Sequence, residues 1–199
     1  IITTFGYAKN SNGGVFHMKK ALVFLADGFE EMEAVTPLDF MRRAGLDAKF
    51  VSLAGTLSVT GSHGVTYRAD MLFDEKVASE ADMLILPGGL PGAQNLQDNE
   101  ALGKLLLKFH EEGKFVCAIC AAPMVLGHLG ILQGKKATIY PGMEDRLIGA
   151  TPVADKVCRD GNVITGKGPG AAMTFAITLV EALAGKEVAD KLRTSTVYD

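Results

Sequence analysis

The chain lacks the features that mark several protein classes. Three cysteines among 199 residues are too few for a disulfide framework, so a reducing compartment such as the cytoplasm is expected. No apolar run approaches the roughly 20 residues of a membrane-crossing helix, so no membrane partner is expected. A formal net charge of −3 gives no electrostatic reason to expect a nucleic-acid partner. The four histidines show no ligand spacing with the cysteines, so no metal is expected.

The composition is that of one globular domain. Hydrophobic residues make up 48% and charged residues 22% of the chain, and its length is sufficient to bury a substantial core. Residues 1–17 differ in composition from the rest of the chain. They contain the polar stretch Asn10–Gly14 and no apolar core of signal-peptide length. We interpret residues 1–17 as a native extension or a cloning remnant, and residues 18–199 as a single domain.

Apolar strands alternate with helical segments along this domain. Ala21–Leu25 and Met83–Leu86 are continuous apolar runs, typical of strands covered on both faces. Residues 57–73 alternate and carry glycines, which predicts short, partly antiparallel strands, and Val157–Val163 predicts a hairpin. Helices are predicted at 30–44, 102–109 and 172–183. The alternation predicts an α/β fold of flavodoxin-like type: a doubly wound, mostly parallel sheet with helices on both faces.

Cys120 lies where a strand is predicted to meet a helix. Phe115–Ala118 suits a buried strand, and Pro123 suits a first helical turn. The free N–H groups at a helix start lower a thiol pKa, so Cys120 is a candidate nucleophile or redox sensor. The alternative is a small buried hydrophobe, as most unpaired cysteines are. The carboxyl ends of the strands carry Cys120 and the loops 30–33 and 88–92, which favours a functional role.

Three carboxyl residues crowd the first turn of the predicted helix 30–44. For Glu30 and Glu31, favourable interaction with the helix dipole on a solvated face is a sufficient explanation. Glu33 could instead lean toward Cys120 and donate a hydrogen bond to its thiolate or shuttle a proton, if burial keeps the pKa of the carboxyl high. The residues alone support the two roles of Glu33 about equally.

Two glycine-containing motifs invite a nucleotide-binding interpretation. Gly88-Gly89 lacks the spacing of a dinucleotide fingerprint, and its backbone N–H groups are better candidates to approach a developing oxyanion. Gly161–Lys167 matches most of a P-loop pattern, but Gly168 replaces the required Ser or Thr and Val163–Ile164 suits a strand. No nucleotide cofactor is therefore expected.

The other two cysteines carry no predicted chemistry. Cys117 precedes Cys120 by three strand positions, or about 10 Å at roughly 3.3 Å per residue, which is too far for a disulfide. We interpret Cys117 as a core residue, and Cys158 has no evident role.

Four segments resemble the ThiJ/PfpI superfamily, in the branch that contains the human Parkinson-disease protein deglycase and bacterial YajL. They are LADGFEEME at 25–33, LPGG at 86–89, AICAAP at 118–123 and GPG at 168–170. The resemblance runs from Met18 to about Leu192. It implies a flavodoxin-like homodimer without cofactor that converts methylglyoxal to lactate, reverses glyoxal-type adducts on amines and thiols, and protects against oxidative stress.

The resemblance also implies roles for individual residues. The reactive cysteine of the family matches Cys120, and its partner acid matches Glu33. Its oxyanion-type N–H donors match Gly89 and Ala121. Family members with protease-like activity carry a histidine directly after the cysteine, so Ala121 at that position argues against a protease.

A second departure concerns proton transfer. The human-type branch has a histidine before a proline near the site, and this chain has Tyr140-Pro141 there. Without a histidine beside Cys120, Glu33 must carry the proton transfers. Tyr140 and Gly88 are candidates for orienting substrate.

Two hypotheses follow from these residues. The leading one is a cysteine-dependent enzyme in which Cys120 attacks a reactive dicarbonyl and Glu33 relays protons. The alternative is a redox-responsive chaperone or peroxide sensor that works through oxidation of Cys120 with little turnover.

Overall fold

The structure is a computed structural model that describes residues 7–9 and 15–198. The prediction that residues 1–17 are an extension or a cloning remnant falls mostly outside this part of the chain. The strands are β1 (Tyr7–Lys9), β2 (Val15–His17), β3 (Lys20–Leu25), β4 (Asp47–Ser52), β5 (Ser58–Thr60), β6 (Thr66–Arg68), β7 (Met71–Leu72), β8 (Met83–Leu86), β9 (Phe115–Ile119), β10 (Lys136–Ala137), β11 (Thr151–Pro152), β12 (Val157–Asp160) and β13 (Val163–Gly166). The α-helices are α1 (Glu31–Arg43), α2 (Glu75–Ala78), α3 (Gly92–Gln97), α4 (Glu100–Glu111), α5 (Pro123–His128), α6 (Ala172–Ala184) and α7 (Lys186–Ser195).

The central sheet of the described residues has seven strands in the order β12–β13–β9–β8–β3–β4–β7. Its neighbours pair in parallel except for the edge hairpin β12–β13. Numbered along the chain, β3, β4, β8, β9 and β13 stand in the order 2-1-3-4-5, which is the flavodoxin-like arrangement. The predicted fold class is therefore confirmed.

Helices cover both faces of this sheet because its strands are apolar on both sides. Along β3, Ala21, Val23 and Leu25 pack into one core and Leu22 and Phe24 into the other. Helices α1, α6 and α7 pack against one another over the first core. Helices α3, α4 and α5 lie over the second. No helix in the described part of the chain combines the length and apolar character that a membrane crossing requires.

The local predictions agree with the structure except at element ends. Helix α1 begins at Glu31 rather than at residue 30, because the Glu30 side chain caps it. The hairpin β12–β13 has its turn at the predicted place, and β5 pairs with β6 in antiparallel fashion. In contrast, β7 joins the central sheet in parallel beside β4. The helix predicted after Cys120 is present as α5, but it is only six residues long.

The topology brings the ends of three strands together. The chain passes from β3 to β4 on one side and then crosses to β8 on the other side of β3. Such a reversal of direction leaves a crevice at the carboxyl ends of the strands. The segments that follow β3, β8 and β9 meet there, and these segments contain the predicted site residues.

Candidate active site

The backbone of Cys120 turns sharply at the end of β9. Its φ angle is 65°, in the left-handed region that residues with a side chain rarely adopt. Its N–H donates to the carbonyl of Gly166 at 2.9 Å, and its own carbonyl accepts from the N–H of Tyr140 at 2.9 Å. Such a conformation costs about 1–3 kcal/mol, so it persists because both neighbouring segments hold it. The predicted strand-to-helix turn is confirmed, and Cys120 is 8% exposed at its tip.

Gly88 lies in the narrow space between Cys120 and Glu33. A Cβ atom built on Gly88 would lie 2.7 Å from Cβ of Cys120, 2.8 Å from Oε2 of Glu33 and 2.9 Å from the nitrogen of Ala121. Each of these distances is shorter than a normal contact, so only glycine fits. The N–H of Gly88 donates to Oε2 of Glu33 at 2.9 Å. Gly88 therefore allows the thiol and the carboxyl to approach each other and also orients the carboxyl.

The Glu33 carboxyl is fully buried beside the Cys120 thiol. While Oε2 accepts from Gly88, Oε1 has no hydrogen-bond partner among the described residues. Burial raises the pKa of Glu33 to about 7. The hydrogen bonds with Cys120 and Gly88 oppose this rise, and the negative charge of Glu30 adds to it. A carboxyl with such a pKa can both give and accept a proton near neutral pH.

The thiol of Cys120 is held in its protonated form. Burial, followed by the charge of Glu33 and the hydrogen bond with it, raises the pKa of Cys120 to about 12. The N–H groups of Ala121 and Gly89 act in the opposite direction. The expectation of a lowered thiol pKa at a helix start is therefore wrong. The short helix α5 and the two N–H groups are outweighed by burial and by an adjacent carboxylate.

Cys120 and Glu33 together form a thiol–carboxyl pair that titrates as a unit. Two of the three effects that raise the thiol pKa depend on an ionised Glu33. When Glu33 takes up a proton, both effects disappear and sulfur can carry negative charge more easily. The arrangement can therefore activate the thiol during attack, with the proton passing from sulfur to the carboxyl.

The backbone donors implied by the resemblance are directed at the sulfur. The N–H groups of Gly89 and Ala121 interact with the Cys120 side chain and lower its pKa. Gly89 has a φ angle of 83°, and a Cβ there would lie 2.5 Å from the nitrogen of Glu30. Their role at a substrate oxyanion stays a prediction.

Tyr140 is joined to Cys120 by a backbone hydrogen bond, which its N–H donates to the Cys120 carbonyl. Its ring is 48% exposed and packs near Gly168. It lines a groove of about 370 Å³ together with the segment 168–171. A role of Tyr140 or of Gly88 in orienting substrate stays a prediction.

The expectation that Glu30 and Glu31 lie on a solvated face is wrong, since each is only 8% exposed. Glu30 accepts from the N–H of Glu33 at 2.8 Å and so caps α1. Glu31 accepts from the backbone N–H of His63 at 2.8 Å, and its other oxygen lies 2.8 Å from Nδ1 of the same residue. The sequence contains no signal for this contact, because His63 lies in the distant loop between β5 and β6.

One group of side chains has the geometry to approach a cation. Ligand atoms of Glu30, Glu31 and His63 lie within 4.8 Å of one another. Both Glu31 oxygens and one Glu30 oxygen are already engaged in hydrogen bonds within the protein.

The remaining predictions from the sequence concern positions outside the pair. Cys117 is fully buried within the sheet and burial raises its pKa, which agrees with its interpretation as a core residue. Cys158 is half-buried on the edge strand β12. The P-loop-like stretch contains strand β13, so the strand predicted at Val163–Ile164 is confirmed.

The fold is flavodoxin-like, and a thiol and a carboxyl are buried together at the carboxyl ends of its strands. These two features define the class of protein. The model of the DJ-1/PfpI family matches residues 19–182. The chain therefore belongs to the DJ-1/PfpI family, as the sequence resemblance implies.

Known relatives agree with this membership. Protein DJ-1 homolog B from Arabidopsis thaliana is 42% identical over 86% of this chain. The chain spans only 40% of the length of that relative and 45% of Protein DJ-1 homolog A from the same plant. A deglycase from Pyrococcus abyssi is 34% identical over 76% of this chain and 91% of its own length. The solved structure of oxidized Toxoplasma gondii DJ-1 superposes with a TM-score of 0.85 at 37% identity, covering 90% of this chain and 98% of its own.

Proposed function

We propose that this chain is a cysteine-dependent, cofactor-free enzyme that acts on reactive dicarbonyls such as methylglyoxal. It is a glyoxalase- or deglycase-type enzyme and not a protease, and it protects against carbonyl and oxidative stress. The observation that carries the proposal is the fully buried Glu33 carboxyl, which interacts with the Cys120 thiol and has one oxygen, Oε1, without a hydrogen-bond partner among the described residues. The deglycase among the relatives supports the same class of substrate.

The first step forms a covalent adduct. The sulfur of Cys120 attacks the aldehyde carbon of methylglyoxal, and the C=O double bond opens as the C–S bond forms. The thiol proton passes to Glu33, whose pKa of about 7 allows it to accept and return a proton near neutral pH. Protonation of the former carbonyl oxygen completes a hemithioacetal. The N–H groups of Gly89 and Ala121 stabilise negative charge during this step.

The second step moves a proton between the two carbonyl carbons. Glu33 removes the hydrogen from the aldehyde-derived carbon, which gives an enediol, and returns a proton to the neighbouring carbon. The product is a lactoyl thioester on Cys120. Water then hydrolyses this thioester to lactate and the free thiol, so the sum is methylglyoxal plus water to lactate. An adduct on an amine or thiol enters the same sequence after it releases the dicarbonyl.

The test of this proposal is methylglyoxal consumption by purified variants. Cys120→Ala is expected to lose activity, whereas Cys158→Ala, which changes a half-buried cysteine away from the site, is expected to keep it. Lactate formation is measured alongside consumption, because simple trapping of methylglyoxal by protein amines yields no lactate. Equal lactate production by the wild type and by Cys120→Ala would contradict the proposal.

The second candidate function is a redox-responsive chaperone or peroxide sensor. It is favoured by the two N–H groups directed at the sulfur of Cys120 and by a solved relative described as oxidized. The raised thiol pKa weighs against it, because peroxide reacts with the thiolate. Intact-mass measurement after mild peroxide separates the two. Selective addition of two oxygens at Cys120, with negligible dicarbonyl turnover, favours the sensor.

We also propose that the protein acts as a cytoplasmic homodimer, on the basis of the family resemblance and its few cysteines. Light scattering of the purified chain measures the oligomeric state. A monomer at micromolar concentration contradicts this part of the proposal.

A further inference from the structure

A groove of about 370 Å³ is lined in part by Tyr140, whose backbone N–H donates to the carbonyl of Cys120. Tyr140 and Pro141 line one side, and the segment 168–171 lines the other. Two lysines, Lys156 and Lys167, complete the lining. The proposed mechanism uses neither lysine.

The two lysines form a cross-strand pair of like charge. Strands β12 and β13 pair Val157 with Gly166, and the N–H of Lys167 donates to the carbonyl of Lys156 at 2.9 Å, which extends the register by one residue. Residues directly opposite each other in an antiparallel pair extend to the same side, so like charges there repel. Among the described residues, neither lysine makes an ion pair with a carboxylate.

The nearby polar groups leave the positive charge in place. Nζ of Lys167 donates to the carbonyl oxygen of Ala154 at 3.2 Å, which is a neutral acceptor. Glu144 lines an adjacent hollow that Lys167 also borders, and its carboxylate accepts from the N–H of Gly142 at 2.9 Å. An anion in the groove would therefore relieve a repulsion that the protein itself does not neutralise.

Both sides of the groove are tied to the nucleophile. Tyr140 donates its N–H to the carbonyl of Cys120, and Gly166, which precedes Lys167, accepts from the N–H of Cys120. A molecule held in the groove thus lies against the segments that position the thiol.

From this geometry we propose that the groove binds the anionic end of a substrate and that the preferred substrates are α-oxoaldehydes with a terminal carboxylate. This inference rests on the proposed function of Cys120. The lysines attract the carboxylate and direct the aldehyde toward the sulfur, and Tyr140 covers the carbon chain between them.

The probe substrate is 4,5-dioxopentanoate, an α-oxoaldehyde with a carboxylate at the other end, and its methyl ester is the uncharged match. The reaction balances as it does for methylglyoxal: the thiol adds to the aldehyde, a proton moves between the carbonyl carbons, and water releases the 2-hydroxy acid. The product of the charged substrate is 2-hydroxyglutarate.

The experiment compares kcat/KM for the acid and for the ester. The ratio of acid to ester is expected to exceed one in the wild type and to fall about two- to tenfold in the double variant Lys156→Gln/Lys167→Gln, the range expected for two partly exposed charges. High salt is expected to lower the wild-type ratio in the same direction. Lys104→Gln, an exposed lysine on α4 far along the chain from the groove, is the matched control and is expected to leave the ratio unchanged.

A second measurement does not depend on turnover. Iodoacetamide alkylates Cys120, and 2-hydroxyglutarate is expected to slow this alkylation in the wild type and to slow it less in the double variant. If both substrates react but the ratio is the same in the wild type and the double variant, the groove inference is overturned while the proposed function stands. If neither substrate reacts while methylglyoxal is still converted to lactate, the substrate assignment is overturned and the proposed function stands. If methylglyoxal is not converted either, the proposed function fails; protection that depends on the lysines then still supports an anion groove, and absence of protection overturns it.

Discussion

The first turn of α1 carries two buried carboxyl groups, Glu31 and Glu33, whose surroundings differ on the two sides of the helix. Glu31 accepts two hydrogen bonds from His63, and these together with the charge of the histidine outweigh burial, so that its pKa is lowered. Glu33 accepts one backbone hydrogen bond and meets a thiol, and burial raises its pKa to about 7. The same type of side chain is thus a fixed anion at Glu31 and a proton carrier at Glu33.

The comparison shows that the depth of burial and the hydrogen-bond partners together separate the two roles, since Glu33 is fully buried and Glu31 is not. Residues two apart on a helix do not face the same side, so Glu31 and Glu33 meet different loops. The loop that contains His63 supplies donors to Glu31, whereas Gly88 supplies one donor to Glu33 and leaves Oε1 without a partner. A carboxyl that lacks partners for one oxygen keeps a proton more readily and can exchange it with Cys120.

Replacing each carboxyl in turn tests this comparison with the largest expected effect. Glu33→Gln is expected to lower methylglyoxal turnover about 10²- to 10⁴-fold, the range for loss of a general acid–base group. Glu31→Gln keeps the proton carrier and is expected to leave most of the activity. Steady-state rates of lactate formation measure both. A comparable loss in the two variants would show that the two sides of the helix do not differ in function.

The pH dependence of stability provides the next test. The folded pKa of Glu33 lies near 7, above its ordinary value of 4.5, so the folded state binds more protons than the unfolded state between these values. The contribution of Glu33 to the free energy of unfolding is therefore fully present below pH 4.5 and is lost as pH rises through 7. Between pH 5 and pH 8 this carboxyl is expected to lower the free energy of unfolding by roughly 2 to 3 kcal/mol.

Urea unfolding of the wild type and of Glu33→Gln at both pH values isolates this contribution. The difference between the two proteins should change with pH by the stated amount. Glu187→Gln serves as the control, because Lys191 lowers the pKa of Glu187 and neither of these groups titrates between pH 5 and pH 8. If Glu33→Gln keeps the full pH dependence of the wild type, the raised pKa is refuted.

Gly88→Ala fills the narrow space between Cys120 and Glu33. The added methyl group would meet Cβ of Cys120 at 2.7 Å and Oε2 of Glu33 at 2.8 Å, so the backbone must move. We expect a loss of about 1–3 kcal/mol in the free energy of unfolding, as for overpacked sites, together with reduced turnover. Gly103→Ala on α4 is the matched control, since its methyl group would meet Leu129 at an ordinary 3.4 Å. Equal behaviour of the two variants would contradict the role of Gly88.

His63→Gln is expected to have the smallest effect. The hydrogen bond and charge of Glu31 raise the pKa of His63, so the ion pair is present between the lowered pKa of Glu31 and the raised pKa of His63 and is lost as pH rises through the latter. Because His63 is exposed, turnover of the variant should stay within about twofold of the wild type. NMR titration of the imidazole measures the pKa directly. An ordinary histidine pKa in the wild type would remove the contrast between Glu31 and Glu33.

Much of the fold could be predicted from the sequence, because strands such as Ala21–Leu25 and Met83–Leu86 are long apolar runs between helical segments. The meeting of Cys120 with Glu33 was also within reach, since parallel strands of such a sheet end at one edge. Both predictions depend on local sequence patterns and on the fact that few sheet topologies fit the order of strands and helices.

The electrostatics of the site could not be predicted in the same way. The pKa of Cys120 depends on its burial and on its distance from Glu33, and neither is encoded in the residues around the cysteine. The contact of Glu31 with His63 and the pairing of Lys156 with Lys167 join residues on different elements. Their partners follow from the register of a hairpin and the position of a loop, which spacing along the chain does not reveal.

The left-handed backbone of Cys120 has a consequence for how this protein changes under mutation. Glycine adopts that conformation without strain, so Cys120→Gly removes the thiol and at the same time relieves the backbone. The relieved strain offsets part of the cost of losing the buried thiol side chain, so a chain that has lost its nucleophile in this way would retain its fold. Abundance in the cell is therefore a poor guide to activity for this protein, and selection must act on the chemistry itself to keep a cysteine at this turn.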